Sequence, residues 1–303
     1  MQFLAAYIMK GRMQAITIAS ILSLLTLILA PLSIVSSAAI ALVTLRLGSR
    51  EGLYVLSGSC VVVAVLSTLQ LGNYQLGLMY GFLQGVVFWL PVWLIAWVLR
   101  ESRQMVLAIE VAVLLGILAV IGFYLFQSAP AQFWGDVFKV MISMIQQNQP
   151  DIPLDMLQQS ANALAPYMTG IMLAGVVFSL LLGLFVARLW QARLYNPGGF
   201  KAEYLALSGH APLAIATLVL FAIASFLNSE LCWNILVVLV VFYASIGTAV
   251  LHSLISVLRG SRYWLLLFYV VLFFSLKLMA LVAIFGLMDT WLNLRNKLKP
   301  NGA

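Results

Sequence analysis

RLWQARLYNPGGFKAEYLALSGH, residues 188–210, parts two long apolar blocks and is the longest polar interruption on the face read below as cytoplasmic. Asn196, Pro197, Gly198 and Gly199 sit at its centre. Proline suits the second position of a type II turn, and glycine supplies the positive φ required at the third. A helix arriving through Arg188 should therefore end near Asn196. Around the turn Trp190, Tyr195, Phe200 and Tyr204 mix with Arg188, Arg193 and Lys201. Rings with a polar tip and long cationic side chains collect where a bilayer meets water. Two readings of Asn196–Gly199 follow: an ordinary interfacial loop, or a surface on which a partner docks.

The blocks on either side explain the interface. The 303-residue chain is 64% hydrophobic and only 8% charged, with a mean hydropathy of +1.07. A soluble domain carries roughly 25% charged residues, so this chain cannot cover itself with polar surface. Runs such as VVVAVL and ILVVLVVF lack the alternation of a membrane β-barrel. The expected fold is an all-α, polytopic integral membrane bundle. The start, MQFLAAYIMKGRMQ, reads as a retained interfacial segment, not a signal peptide.

Working outward, spans are expected at about 13–30, 32–46, 51–70, 74–99, 104–127, 167–194, 211–228, 232–258 and 262–288. That gives about nine crossings; an eight-helix arrangement, with one short N-terminal segment left uncrossed, is the alternative. Residues 1–127 form an N-terminal bundle and 167–303 a C-terminal bundle with an amphipathic tail. Between them, 128–166 leaves the membrane as a helical insertion. Phe133, Val137, Val140, Met141 and Met144 recur there at helical spacing, and a second short helix is expected over 153–164.

Charge sets the sidedness. With a cytoplasmic N-terminus, the inner segments hold Lys10, Arg12, Arg46, Arg50, Arg100, Arg103, Arg188, Arg193, Lys201, Arg259 and Arg262. The outer segments before the tail hold Lys139 as their one cation, with Asp136, Asp151, Asp155 and Glu230. Cytoplasmic loops are the ones enriched in Lys and Arg. The tail residues Arg295, Lys297 and Lys299 fall on the other side and disagree. The net charge of +7 is thus a topology signal with no nucleic-acid partner implied. A bacterial inner membrane is the expected location, with the lipid bilayer the first partner.

Two stripes of small residues stand out: Gly77, Gly81, Gly85, and Gly175, Ser179, Gly183 followed by Ala187. Such spacing lets membrane helices approach closely, either within one chain or between copies in a homo-oligomer. Three ionisable residues lie inside apolar spans: Glu110, His252 and Lys277. At ~1.5 Å per residue, Glu110 and His252 come to roughly 10 Å below the cytoplasmic surface, so they can meet. Lys277 falls near the midplane, where an unpaired cation costs at least ~2.5–3.5 kcal/mol, so it should face protein or a wet cavity. These three are the candidate substrate-binding residues, Lys277 offering a positive group to an anionic solute.

No reaction is proposed by the sequence. GxSxG, HExxH and GxxxxGK[ST] are absent, and His210 and His252 are the only histidines. Cys60 and Cys232 have no metal or redox spacing and read as small buried residues. The expectation is no enzyme, no cofactor and no metal.

RLGSREG (Arg46–Gly52), NPGGFKAE (Asn196–Glu203) and GLMDTWLNLR (Gly286–Arg295), in that order, resemble the YybS-like bacterial membrane proteins, a family of unassigned function. That family in turn resembles the substrate-binding subunits of energy-coupling-factor transporters. The resemblance implies a small helical bundle that binds a solute from outside and docks a membrane partner through an alanine-xxx-alanine face. Ala15 and Ala19 would match that face. The extra C-terminal helices and the large insertion depart from the pattern. Two functions stay open: a solute-binding or transport subunit, and a non-transporting scaffold or assembly factor.

Overall fold

The structure is a computed structural model that describes residues 2–149, 152–257 and 262–294, and within them it contains helices and turns but no strand. In chain order the helices are α1 Gln2–Ile8, α2 Arg12–Leu25, α3 Leu32–Leu47, α4 Ser49–Leu71, α5 Tyr74–Leu83, α6 Leu90–Ser102, α7 Met105–Phe126, α8 Pro130–Asn148 and α9 Leu154–Leu164. They continue with α10 Met168–Tyr195, α11 Gly199–Leu205, α12 Ala211–Leu227, α13 Glu230–Val257, α14 Arg262–Phe274 and α15 Leu276–Leu292. A π-helical segment, Gln84–Trp89, joins α5 to α6 in one continuous rod. Expectations resting on Asp151, Arg259, Arg295, Lys297 and Lys299 fall outside the described residues.

Five helical runs are long and apolar enough to cross a membrane: those containing α4, α5–α6, α7, α10 and α13. Length does not assign nine. Helices α2, α3 and α12 have 14, 16 and 17 residues, about 21–26 Å against a hydrocarbon core of ≈ 30 Å. The expected first span, 13–30, stops at Leu25 because residues 26–30 turn ahead of Pro31. Thr26 Oγ1 lies 2.6 Å from the Ser23 carbonyl, and Tyr80 Oη donates to the same oxygen at 2.6 Å, fixing that end. The expected span 262–288 is two helices. Ser275 takes an extended conformation, and its Oγ accepts from Leu278 N at 3.3 Å as the cap of α15. The π segment lies just before Pro91, which has no N–H and whose ring crowds a carbonyl one turn back. One wide turn, with Leu90 N donating to Gly85 O, keeps the rod intact.

Packing follows the small residues. A Cβ on Gly77 would come within 2.4 Å of the Thr68 backbone nitrogen; on Gly81, within 2.8 Å of Ala64; on Gly85, within 2.6 Å of Cys60 Sγ. That stripe lies flat on α4 within one chain. Gly183 meets α3 at Ser37 and Ala38, and Ala187 below it is fully buried. Ser179 is half-buried. Gly175 departs from the expectation: nothing lies within 4 Å of its would-be Cβ, and the close approach of α10 is at Gly183, about two turns on. The tightest crossing was unforeseen. Cβ atoms on Gly247 of α13 and Gly286 of α15 would each sit 2.1 Å from a backbone oxygen of the other helix.

Candidate functional site

The stretch 188–210 ties together the arginine-bearing end of the bundle. Gly198 has φ +89° and ψ −18°, and Gly199 N donates to Asn196 O at 3.1 Å. This is the geometry of a type II turn. The turn is exposed at Asn196, Pro197 and Gly198. The chain then doubles back as α11, an element with too few residues to announce itself in sequence. Phe200 and Tyr204 of α11 enclose Phe185 of α10, with centroids 6.2 and 5.7 Å away. Arg188 forms a two-pronged ion pair with Glu203 and reaches Gln191 Oε1 at 2.6 Å. Tyr204 Oη lies 2.7 Å from Thr248 Oγ1 of α13, and burial pushes its phenol above the ordinary value.

A cavity of about 240 Å³ opens beside this clamp, where α3, α6 and α10 approach their ends. Arg100, Arg103, Arg188, Gln191 and Glu203 line it over Leu45 and Leu99. Arg100 Nη1 donates to Leu45 O at 2.7 Å, satisfying a carbonyl at the C-terminal end of α3. A shallower hollow of about 510 Å³ lies at the opposite end, between Gln127 and Val140.

The three proposed substrate-binding residues do not assemble. Glu110 meets His210, with Oε1 2.7 Å from Nδ1, instead of His252. His210 caps the stretch 188–210 as it enters α12, so the loop delivers a nearer partner than α13 does. His252 Nε2 lies 2.6 Å from Tyr269 Oη of α14, and its ring packs edge-on to Tyr204. Lys277 is exposed on the outside of the chain, in the first turn of α15, and lines neither cavity. The break at Ser275 is the reason: it restarts the helix and turns that position outward. Ala15 and Ala19 are completely buried under α3 and α4, with Ser36 Oγ donating to Ala19 O at 2.7 Å. Within this chain that face is covered by α3 and α4.

Two polar arrangements were not anticipated. The first is Asn234 of α13, fully buried. Its Oδ1 accepts from Gly170 N at 2.5 Å, in the first turn of α10. Its Nδ2 faces Tyr124 Oη, Pro166 O and Glu230 O at 2.7–2.9 Å. One amide thus caps α10 from another helix and fastens the end of α7 to it. Beside it Trp134 Nε1 of α8 donates to Thr169 Oγ1 at 2.8 Å, so the insertion lies against the bundle. A lone asparagine inside the apolar run ELCWNILVV was the available signal.

The second arrangement is in the N-terminal half. A hydroxyl in an apolar helix ordinarily bonds the carbonyl one turn back. Thr44, Thr68, Thr217, Ser225 and Ser245 do so. Ser20, Ser23 and Ser59 do not, and with Gln84 Nε2 they are buried without a hydrogen-bond partner. Arg12 paired with Glu51 sets α2 and α4 in register, as does Ile16 against Gly58. Ser20 and Ser59 are each eight residues on, so both lie ~12 Å from the arginine-bearing end. Trp93 Nε1 bonds Ser49 O at 2.9 Å; Gln84, nine residues away, lies at a depth of ~14 Å. Ser20, Ser59 and Gln84 therefore lie at similar depth, where α2, α4 and the π segment meet, and Ser23 lies one helical turn further along α2.

No known protein family, curated protein or solved structure matches this chain.

Proposed function

We propose that this chain is a multi-pass subunit of a bacterial cytoplasmic membrane that binds a small polar solute within its N-terminal half. One observation carries the reading: Ser20, Ser23, Ser59 and Gln84 bring four unpartnered polar groups within about one helical turn of depth inside apolar helices. A buried polar group left unpaired costs about 1–3 kcal/mol, so a set of four so close in depth calls for a ligand or water to satisfy it. Gln84 Nε2 can only donate, and the three hydroxyls can donate as well as accept, so a solute that carries hydrogen-bond acceptors satisfies all four. A π turn at that level is a frequent mark of a functional site. The proposal takes with it nine spans, a cytoplasmic N-terminus and the YybS-like resemblance of Arg46–Gly52 and Asn196–Glu203. The site moves from Glu110, His252 and Lys277 to the α2, α4 and π-segment junction.

The test is ligand-dependent unfolding of the purified protein across a panel of small acceptors, carboxylates and halides among them. A solute that raises the unfolding midpoint of the wild type but not of Ser59→Ala supports the site. If Ser59→Ala is simply more stable and responds to every compound as the wild type does, the hydroxyl is a structural orphan and the reading fails. The scaffold reading is favoured by a different observation, the exposed Asn196–Gly199 turn at the arginine-bearing end. A photo-crosslinker at Pro197 that captures the same membrane protein in repeated experiments, with no solute response in the wild type, decides for it.

A further inference from the structure

The arginine-lined cavity has a residue that structure alone does not explain. Cations are expected at helix C-termini, where carbonyls point outward. Arg100 does that work at Leu45 O, and Arg188 is neutralised by Glu203. Arg103 also stands at a helix C-terminus, but its guanidinium is engaged by neither a carbonyl nor a carboxylate among the described residues. It ends α6 in the left-handed conformation, φ 55°, and its exposed guanidinium makes no hydrogen bond or ion pair to a described residue. The cavity wall thus carries three arginines against one glutamate. It lies at the level where the apolar spans stop, flanked by Arg46 stacked 4.1 Å over the Tyr195 ring, an arrangement of the membrane interface.

We infer that this cavity holds the phosphate of an anionic phospholipid, with Arg103 as the residue that recognises it and Arg100 beside it. A volume of about 240 Å³ suits a headgroup and leaves the acyl chains outside along α6 and α10. Basic pockets between membrane helices at the interface are where such headgroups bind. This site is distinct from the polar junction of α2, α4 and the π segment.

The full chain, purified in detergent, is mixed with phosphatidylglycerol, phosphatidylcholine or inorganic phosphate. Native mass spectrometry then counts retained lipid, and thermal unfolding reports stabilisation. Phosphatidylglycerol should be retained in preference to phosphatidylcholine. Arg103→Gln should lower that retention about fivefold, the fold-change equivalent to the ~1 kcal/mol of one basic residue at an anionic surface. Its unfolding midpoint without lipid should match the wild type. If that midpoint falls, Arg103→Lys, which keeps the charge, must recover most of the retention, and failure to do so overturns the inference. Equal retention of the two lipids, or undiminished retention in Arg103→Gln, also overturns it. Inorganic phosphate stabilising as strongly as phosphatidylglycerol would show a soluble-anion site and rule out the lipid.

Discussion

Replacing Gly286 with alanine tests the crossing of α13 and α15. An alanine in a helix interior is ordinarily better than glycine by roughly 0.5–1 kcal/mol. At Gly286 the new methyl would sit 2.1 Å from Tyr243 O and 2.6 Å from Gly247 N, backbone atoms that no side-chain rotation can move. The helices must separate by about an ångström, and overpacking of this kind costs roughly 1–3 kcal/mol. Gly175→Ala is the matched control, because nothing lies within 4 Å of its methyl. The propensity gain is common to both, so the two variants should differ by the overpacking cost, about 1–3 kcal/mol, with Gly175→Ala the more stable. Unfolding in detergent can be followed with a thiol-reactive dye, since Cys60 and Cys232 are free and half-buried. Gly286→Ala melting at or above the wild-type temperature would refute the backbone contact. A large loss in Gly175→Ala would equally refute the open face of α10.

Asn234→Leu keeps the volume of the side chain but leaves Gly170 N–H and Pro166 O without their partner, at about 1–3 kcal/mol for each group stranded; the same dye assay should show a lower midpoint. Trp134→Ala removes the bond to Thr169 and the packing on Phe123, so α8 should become a protease target while the bundle stays intact. Cleavage of the wild type within 133–145 at the rate of the variant would show that α8 is not docked. Tyr204→Phe probes a phenol whose proton is favoured by burial. Its raised value means that its contribution to stability is fully present below pH 10.0 and is lost as pH rises beyond. Tyr204→Phe should flatten the alkaline loss of stability, and an unchanged slope would remove Tyr204 as its source.

Helix positions were legible because apolar length and punctuation carry them. Gly198 after Pro197 specified its turn outright, and Met105–Phe126 and Met168–Tyr195 lie within a residue or two of the expected spans. What escaped notice was local and polar. Ser275 is a helix cap hidden in an apolar run, and Pro91 forces a wide turn without ending the rod. The partner of Glu110 depended on a loop delivering His210 across 100 residues, which spacing cannot foresee. Gly247 and Gly286 stand alone in their helices, so no stripe advertised them. A charge such as that of Lys277 is conspicuous in an apolar run, whereas Ser20, Ser59 and Gln84 matter through the bonds they do not make.

The Asn234 bond has a consequence for biogenesis. The first turn of α10 receives its cap from a residue 64 positions later in the chain. At about 5–20 residues per second, a ribosome needs roughly 3–13 s to deliver that asparagine after Gly170 has emerged. Throughout that interval the first turn of α10 lacks its cap, and the Tyr124 hydroxyl at the end of α7 lacks its bond to Asn234. Any insertase or chaperone that shields polar backbone would be needed most in that window, and a nascent chain stalled before residue 234 should still be bound to one.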